Sequence, residues 1–390
     1  MYKFFSLTNP SDYKFLLISY RILTSFSYAL WYYFYQPYLK QMGLSVEVVG
    51  LAASLFALLF VLSSLPLGWL SDNIGRRRAL LILTLFTFII TFALSIKELP
   101  LVAVILLLIS LSFFFSGIVT ISRALAAEVF KMKAPGIGVY YAAVSTASIL
   151  GPAAGGLVVN SYSYSRLFLF SSIILLLSLL SLSCIKEHSI KINRGKKSMF
   201  RSIVLLVSDR NLRIYILGWM IYTIGTEMVV GILPLYAATI IGMDPLTLGF
   251  MFSAANIAAL VGYVLGGFAS DLIGRGKVIA LSLLLNALIL FSLSMAKDPY
   301  AFLALWALAS MIFLMHEAPE TSYVAEKSPE DLRGSAMGLL GTSTGLVSWI
   351  SPGISAVLWI SLGPAVIFSV MIIISAFGLL LIIKSVWSYK

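Results

Sequence analysis

Glu227 is the side chain whose surroundings make the strongest demand on its chemistry. It is the one acidic or basic residue between Ile214 and Ile241, and at about 1.5 Å of rise per residue it stands roughly 20 Å into a helix begun at Ile214. A carboxyl group in a run this apolar costs a few kcal/mol to insert and ordinarily faces a cavity or a partner. It can bind a cation, exchange a proton, or do both; the structural alternative is a protonated side chain bonded to a helix backbone. A second concentration of titratable groups is His316-Glu317-Ala318-Pro319-Glu320. A continuous helix would gather His316, Glu317 and Glu320 on neighbouring positions, as a proton relay or as an interfacial cluster at the end of a short apolar run, and Pro319 is expected to interrupt that helix. Arg21, about a third of the way along the first apolar run, can hold an anion or pair with an acid from another helix. Tyr28, Tyr32 and Tyr35 share one helical face and offer ring surfaces to a cation or another ring, an interfacial aromatic belt being the other reading. Asn256 and Asn286 are polar positions within apolar runs, where hydrogen-bonded helix packing is expected; Asn256 could also read a polar group of a solute. His188 is the only other histidine and Cys184 the only cysteine, so neither a zinc site nor a disulfide framework is expected.

The elements that must position these groups are membrane helices. Of the 390 residues 60% are hydrophobic and only 11% charged, and the apolar ones come in runs of about 20, the length that crosses the hydrocarbon of a bilayer. The runs predict helices over 15–38, 47–70, 78–96, 99–122, 136–160, 164–185, 212–238, 246–268, 278–296, 300–322, 334–360 and 363–386. The first run lacks a small-residue cleavage site and is expected to be a permanent helix rather than a signal peptide. Twelve crossings place both termini on one side. Of the 27 Lys and Arg, all but Lys40, Lys97, Arg166 and Lys297 lie in the termini, in alternate connections or in helices near that same face. The positive-inside bias therefore puts both termini, the Arg76-Arg77-Arg78 loop and the central polar segment in the cytoplasm. The net charge of +11 is then a topology signal, and no nucleic-acid partner is expected.

The chain also repeats itself. Gly68-x-x-Ser71-Asp72-x-x-Gly75-Arg76 returns as Gly267-x-x-Ser270-Asp271-x-x-Gly274-Arg275, a shift of 199 positions. Ala127-Glu128 returns as Ala325-Glu326, Gly138 with Pro152 as Gly338 with Pro352, and Pro37 as Pro234, all in nearly the same register. This predicts an all-α membrane protein of two pseudo-symmetric six-helix bundles, 1–185 and 212–390, joined by a cytoplasmic linker over 186–211.

On these residues the chain resembles the major facilitator superfamily over essentially its whole length. Gly68-Trp69-Leu70-Ser71-Asp72-Asn73-Ile74-Gly75-Arg76-Arg77-Arg78 looks like the signature loop between the second and third helices of that family. The resemblance implies a cytoplasmic gate made by Gly68, Asp72, Gly75, Arg76 and Arg77, with Glu128 as the partner of Arg76 and Arg123 beside it. Asp271, Gly274 and Arg275 form the second copy, in which Gly276 interrupts the arginine run. Gly68 is expected to permit a close helix approach and Gly75 a tight turn. In the fifth helix Gly138-x8-Ala147-x3-Gly151-Pro152-x2-Gly155-Gly156 resembles the motif of the twelve-helix drug and proton antiporter branch, with Ala147 where that pattern has Gly. Small residues at this spacing allow tight helix packing, and Pro152 bends the helix. The membrane-embedded Arg that the branch carries in its fourth helix has no counterpart in Ser110–Gly117.

The resemblance implies a secondary carrier for a small molecule, working by alternating access in the cell membrane as a monomer. No nucleotide-binding motif is present, so an ion gradient, of protons by resemblance, is expected to supply the energy without a cofactor. Proton-coupled efflux of hydrophobic or cationic molecules is the leading expectation; the alternative is an uptake permease for a small organic solute such as a sugar or organic acid. No nucleophile and base pair, phosphate-binding loop or metal cluster suggests an enzyme.

Overall fold

The computed structural model describes residues 10–130, 134–184, 209–327 and 333–387. The linker expected over 186–211 lies outside them except for its last three residues. The first half of the chain forms α1 (Pro10–Tyr32), α2 (Tyr35–Gln41), α3 (Val46–Ile74), α4 (Arg76–Leu94), α5 (Leu101–Val129), α6 (Ala134–Ser161) and α7 (Tyr164–Ser183). The second half forms α8 (Arg210–Val230), α9 (Leu233–Thr239), α10 (Pro245–Ile273), α11 (Arg275–Ser292), α12 (Pro299–Leu314), α13 (Glu317–Lys327), α14 (Arg333–Ser348), α15 (Ile350–Leu362) and α16 (Val366–Trp387). Among the described residues eleven spans are long and apolar enough to cross a membrane. The remaining crossing is α1, whose composition is tempered by Arg21 and a run of tyrosines.

Four of the expected helices are each two helices, and proline is the reason. A proline inside a helix lacks an N–H and its ring collides with the carbonyl four residues earlier. Pro37, Pro234, Pro319 and Pro352 therefore act on Tyr33, Val230, Met315 and Ser348, and the helix ends within a residue of each of those positions. The expected interruption at Pro319 thus falls upstream of it, just ahead of the titratable cluster. Pro66 and Pro152 are accommodated inside α3 and α6 instead. Several helix starts outside these breaks are capped by acids and hydroxyls: Asp209 accepts from Leu212 N–H at 2.8 Å, Asp298 from Ala301 N–H at 2.8 Å and Ser163 from Arg166 N–H at 3.3 Å. Asp244 accepts from the Thr247 hydroxyl at 2.6 Å and from the Leu246 and Thr247 amides, and the Thr247 hydroxyl leads in holding its carboxyl below the usual carboxylate range.

Two compact units result. Unit 1 comprises Met1–Gly43, Leu55–Ile192 and Asp244–Ser253; unit 2 comprises Leu44–Ser54, Asn193–Met243 and Ala254–Lys390. In unit 1 the core gathers Leu17, Tyr20, Leu80, Ile118 and Leu182, and α5 hydroxyls reach α3 carbonyls, Ser112 to Phe56 at 2.8 Å and Ser116 to Phe60 at 2.5 Å. A Cβ on Gly117 would meet the Leu67 side chain at 2.6 Å, so the stretch without an arginine is a helix-packing seam. In unit 2 α8 lies along α16 and α10 crosses α12. A Cβ on Gly262 would fall 1.9 Å from the Met311 carbonyl oxygen and one on Gly266 2.0 Å from that of Met315. The expected packing role of Asn286 is realised here: its Oδ1 accepts from Tyr222 at 2.9 Å and its Nδ2 donates to the Ala309 carbonyl at 3.0 Å. Tyr222→Phe should cost about 1 kcal/mol by removing that donor, read as a lower thermal midpoint of the purified protein.

Candidate functional site

The signature loop of unit 1 gathers the ionic group expected of the latch. Gly75 holds φ at 96°, a backbone conformation that a side chain would strain, and so turns α3 directly into α4. That turn aims Arg76 at Glu128, near the end of α5, with Nε to Oε1 at 2.6 Å; Asp72, one turn back on α3, lies 3.3 Å from the same guanidinium. Arg77 donates to the Leu182 and Ser183 carbonyls at 3.4 and 2.7 Å, covering the end of α7. Arg123, five residues before Glu128 on α5, is exposed, and among the described residues it makes no ion pair with this group. Gly68 departs from its expected role: a Cβ there would find only Thr120, at an ordinary 3.7 Å, and the tight approach of α3 to α5 at this level is made by Gly117 against Leu67 instead.

The second copy in unit 2 repeats the device. Gly274 turns α10 into α11 at φ 91°, and Arg275 pairs with Glu326; Asp271 sits one turn before Arg275 on α10. The glycine that interrupts the arginine run has a packing cause, since a Cβ on Gly276 would lie 2.2 Å from the Val386 side chain.

The motif on α6 is a surface for close crossing. Cβ atoms on Gly151 and Gly155 would fall 2.4 Å from Ala29 Cβ and 2.1 Å from the Leu30 carbonyl, so both glycines seat α1. Gly156 instead admits the first turns of α10: its Cβ would lie 2.5 Å from the Pro245 carbonyl, and one on Gly249 would lie 2.4 Å from the Pro152 carbonyl. The first amide after the proline, Ala153 N–H, donates to Ser253 Oγ at 3.0 Å. Gly138, at the other end of the motif, approaches nothing within 4 Å. Unit 2 builds the same joint from the other copies. Gly353 N–H, the first amide after Pro352, donates to Ser54 Oγ at 2.8 Å, and a Cβ on Gly50 would lie 2.3 Å from Ala356 Cβ. Gly50-x-x-x-Ser54 and Gly249-x-x-x-Ser253 are 199 positions apart, the register of the repeat, so the signal for these four residues was present but hidden among other small residues.

Glu227 lies on the last turn but one of α8, half-buried, and among the described residues its carboxyl has no hydrogen-bond or ion-pair partner. The helix around it is pinned to α15: Ser351 Oγ donates to the Ile224 carbonyl at 2.9 Å and Ser355 Oγ to that of Met228 at 2.7 Å. The backbone of Glu227 is thereby fixed while its carboxyl is left available.

His316, only 3% exposed, does gather the neighbouring acids, with Nε2 at 3.5 Å from Glu320 and 3.8 Å from Glu317. Its Nδ1 contacts the Phe313 carbonyl, freed at the helix break, and its ring lies 4.7 Å from that of Trp219. Glu320 accepts from Tyr215 at 2.9 Å. The chain Tyr215, Glu320, His316, Glu317 is a contiguous polar path within unit 2.

On α1, Tyr28 stacks between Tyr32 and Phe115 at centroid distances of 4.8 and 3.8 Å. Arg21 is buried, with no acid of the described residues paired to it; its guanidinium reaches the Thr24 hydroxyl at 3.3 Å and faces the Phe115 ring. Asn256 is half-buried on α10.

Known proteins agree with this architecture. The Major Facilitator Superfamily model matches residues 16–224 and 215–388. An uncharacterized MFS-type transporter of Methanocaldococcus jannaschii is 26% identical over 352 residues, covering 86% of this chain and 85% of the relative. The multidrug resistance protein MdtG of Escherichia fergusonii is 25% identical over 308 residues, covering 76% of this chain and 74% of the relative. Among solved structures, the nucleoside transporter NupG superposes with a TM-score of 0.74 at 14% identity, over 96% of this chain and all of that one. A bacterial homolog of the human lysosomal transporter Spinster gives 0.73 at 14% identity, over 99% of this chain and all of that one. Both structural likenesses concern the fold. With the family match spanning nearly the whole chain, the latch in both copies and the helical architecture have one reading: the chain belongs to the Major Facilitator Superfamily, and is a multi-pass membrane carrier of small molecules rather than an enzyme.

Proposed function

We propose that this carrier exports hydrophobic or cationic small molecules in exchange for protons. The observation that carries the reading is Glu227: a carboxyl in a membrane helix, fixed by its backbone and without a partner among the described residues, is the group that can alternate between a proton and a cation. The likeness to multidrug resistance protein MdtG supports export, as does the crossing of α6 with α10 through Gly156 and Gly249. The Tyr215, Glu320, His316 and Glu317 path is assigned to relaying protons. By loop charge the protein sits in the cell membrane with both termini in the cytoplasm, and it works as a single chain without a cofactor.

The test uses the purified protein in liposomes with a trapped pH-sensitive dye. Lipophilic cations should trigger proton movement, and sugars or organic acids should not; a response to sugars or acids alone would replace export with an uptake permease. The latch gives a second readout. Asp72→Asn keeps the Arg76–Glu128 pair and the fold, so its thermal midpoint should match the parent while the exchange rate falls severalfold. An unchanged rate would reduce the loop to a topology anchor.

A further inference from the structure

Arg21 is 4% exposed, yet among the described residues its Nε has no hydrogen-bond partner. Its Nη1 donates to Thr24 at a long 3.3 Å, and its guanidinium carbon lies 5.7 Å from the centroid of the Phe115 ring. An arginine keeps its charge at any ordinary pH, and a buried charge without a counter-ion is expensive, which a single hydroxyl and a ring face do not offset. One turn along the same helix is a second orphan. Ser25 Oγ, in a side chain 5% exposed, likewise has no partner among the described residues.

These positions form a stripe. Residues 21, 25, 28 and 32 are spaced by four, three and four, so in a helix of 3.6 residues per turn they fall within about 60° of arc. The stripe passes from the buried guanidinium to the half-buried Tyr28 and Tyr32. Tyr28 and Phe115 stack at 3.8 Å with 6° between their planes, and Tyr32 extends the stack at 4.8 Å. Arg21 therefore closes the deep end of an aromatic ladder with unspent donors. Guanidinium donors match the paired oxygens of a carboxylate or sulfonate, the Ser25 hydroxyl can donate to the same group, and flat ring systems stack on such ladders.

The geometry points to an anion-reading subsite formed by Arg21 and Ser25, with Phe115, Tyr28 and Tyr32 holding the planar body of the ligand. The class of solute is a flat amphiphilic anion, an aromatic carboxylate or sulfonate. The subsite lies wholly within unit 1. It stands apart from the export reading, needing neither Glu227 nor a direction of transport.

Binding rather than transport tests it. Isothermal titration of the full chain in nanodiscs of zwitterionic lipid would compare 2-naphthoate with its neutral amide and with 2-naphthyltrimethylammonium. The acid should bind at least about tenfold more tightly than the amide, as charge-assisted hydrogen bonds require. Arg21→Gln should erase that preference, Arg21→Lys should keep part of it, and Ser25→Ala should weaken the acid severalfold while sparing the amide. Equal affinities for acid and amide in the unaltered protein, or no binding of the acid, overturn the subsite without recourse to any variant. So does a preference that survives in a folded Arg21→Gln protein. Glu227→Gln should leave naphthoate binding unchanged, so loss of the proton-exchange reading and loss of this one give different results.

Discussion

Glu227→Gln should abolish proton movement driven by lipophilic cations in liposomes, to the level of protein-free vesicles, while the thermal midpoint should stay near that of the parent. The amide is isosteric with the protonated carboxyl, and Glu227 has no partner among the described residues that its loss would orphan, so the fold has little to lose. Ser351 and Ser355 of α15 hold the carbonyls of Ile224 and Met228 whatever side chain stands at 227. A carrier that cannot release the proton equivalent is locked in its protonated form. It should still catalyse counterflow of a neutral hydrophobic solute, with no pH dependence. Normal cation-driven proton movement in the folded variant would remove Glu227 from the mechanism. It would also leave the path from Tyr215 to Glu317 as the remaining membrane carboxyl system. Tyr215→Phe, which deprives Glu320 of its 2.9 Å donor, separates the two by slowing exchange without uncoupling it.

How much of this was legible in the chain follows from the range of the interactions involved. The turn of the latch could be read because it is local, Gly75 followed by Arg76, whereas the partner Glu128, 52 residues on, was reached through the family resemblance, and the repeat returns it as Glu326. The membrane spans could be read because insertion depends on local apolarity. Helix interruptions were missed at three of four prolines, although each lies where the proline rule places it; an apolar run continues through the break, so hydropathy carries no trace of it. Close crossings were legible only in part. Gly151, Gly155 and Gly156 stand at tight contacts, whereas Gly68 and Gly138 in the same motifs do not, since whether a glycine meets a neighbour depends on which helix passes and at what depth. The serines at 54 and 253 were invisible for the same reason, being two among many hydroxyls in apolar runs. Arg21 shows the opposite case: its burial was legible, but its lack of an acidic partner is a property of all the helices around it.

The crossings support the second large effect. In unit 1 Gly249 lies against Pro152 and Gly156, and in unit 2 Gly50 lies against Pro352 and Ala356, each at the end of α10 or α3 opposite its latch turn. A side chain at either glycine must overlap a backbone carbonyl or a Cβ, and overpacking of this kind costs about 1–3 kcal/mol even after relaxation. If alternating access closes these joints in one state and parts them in the other, that cost falls on one state alone, and about 1.4 kcal/mol shifts such a balance tenfold. Gly249→Val and Gly50→Val should then each slow exchange at least about tenfold, with thermal midpoints nearly unchanged because the other state still folds. Gly138→Val is the control, for its Cβ would approach nothing within 4 Å, and its exchange should stay near that of the parent. Ser253→Ala and Ser54→Ala remove only the acceptors for Ala153 and Gly353 and should act in the same direction with smaller effect. Equal slowing by Gly138→Val would assign these glycines to folding alone. A marked fall in thermal midpoint for Gly249→Val would mean that the joint is held in both states, and the carrier would then have to open elsewhere along α6.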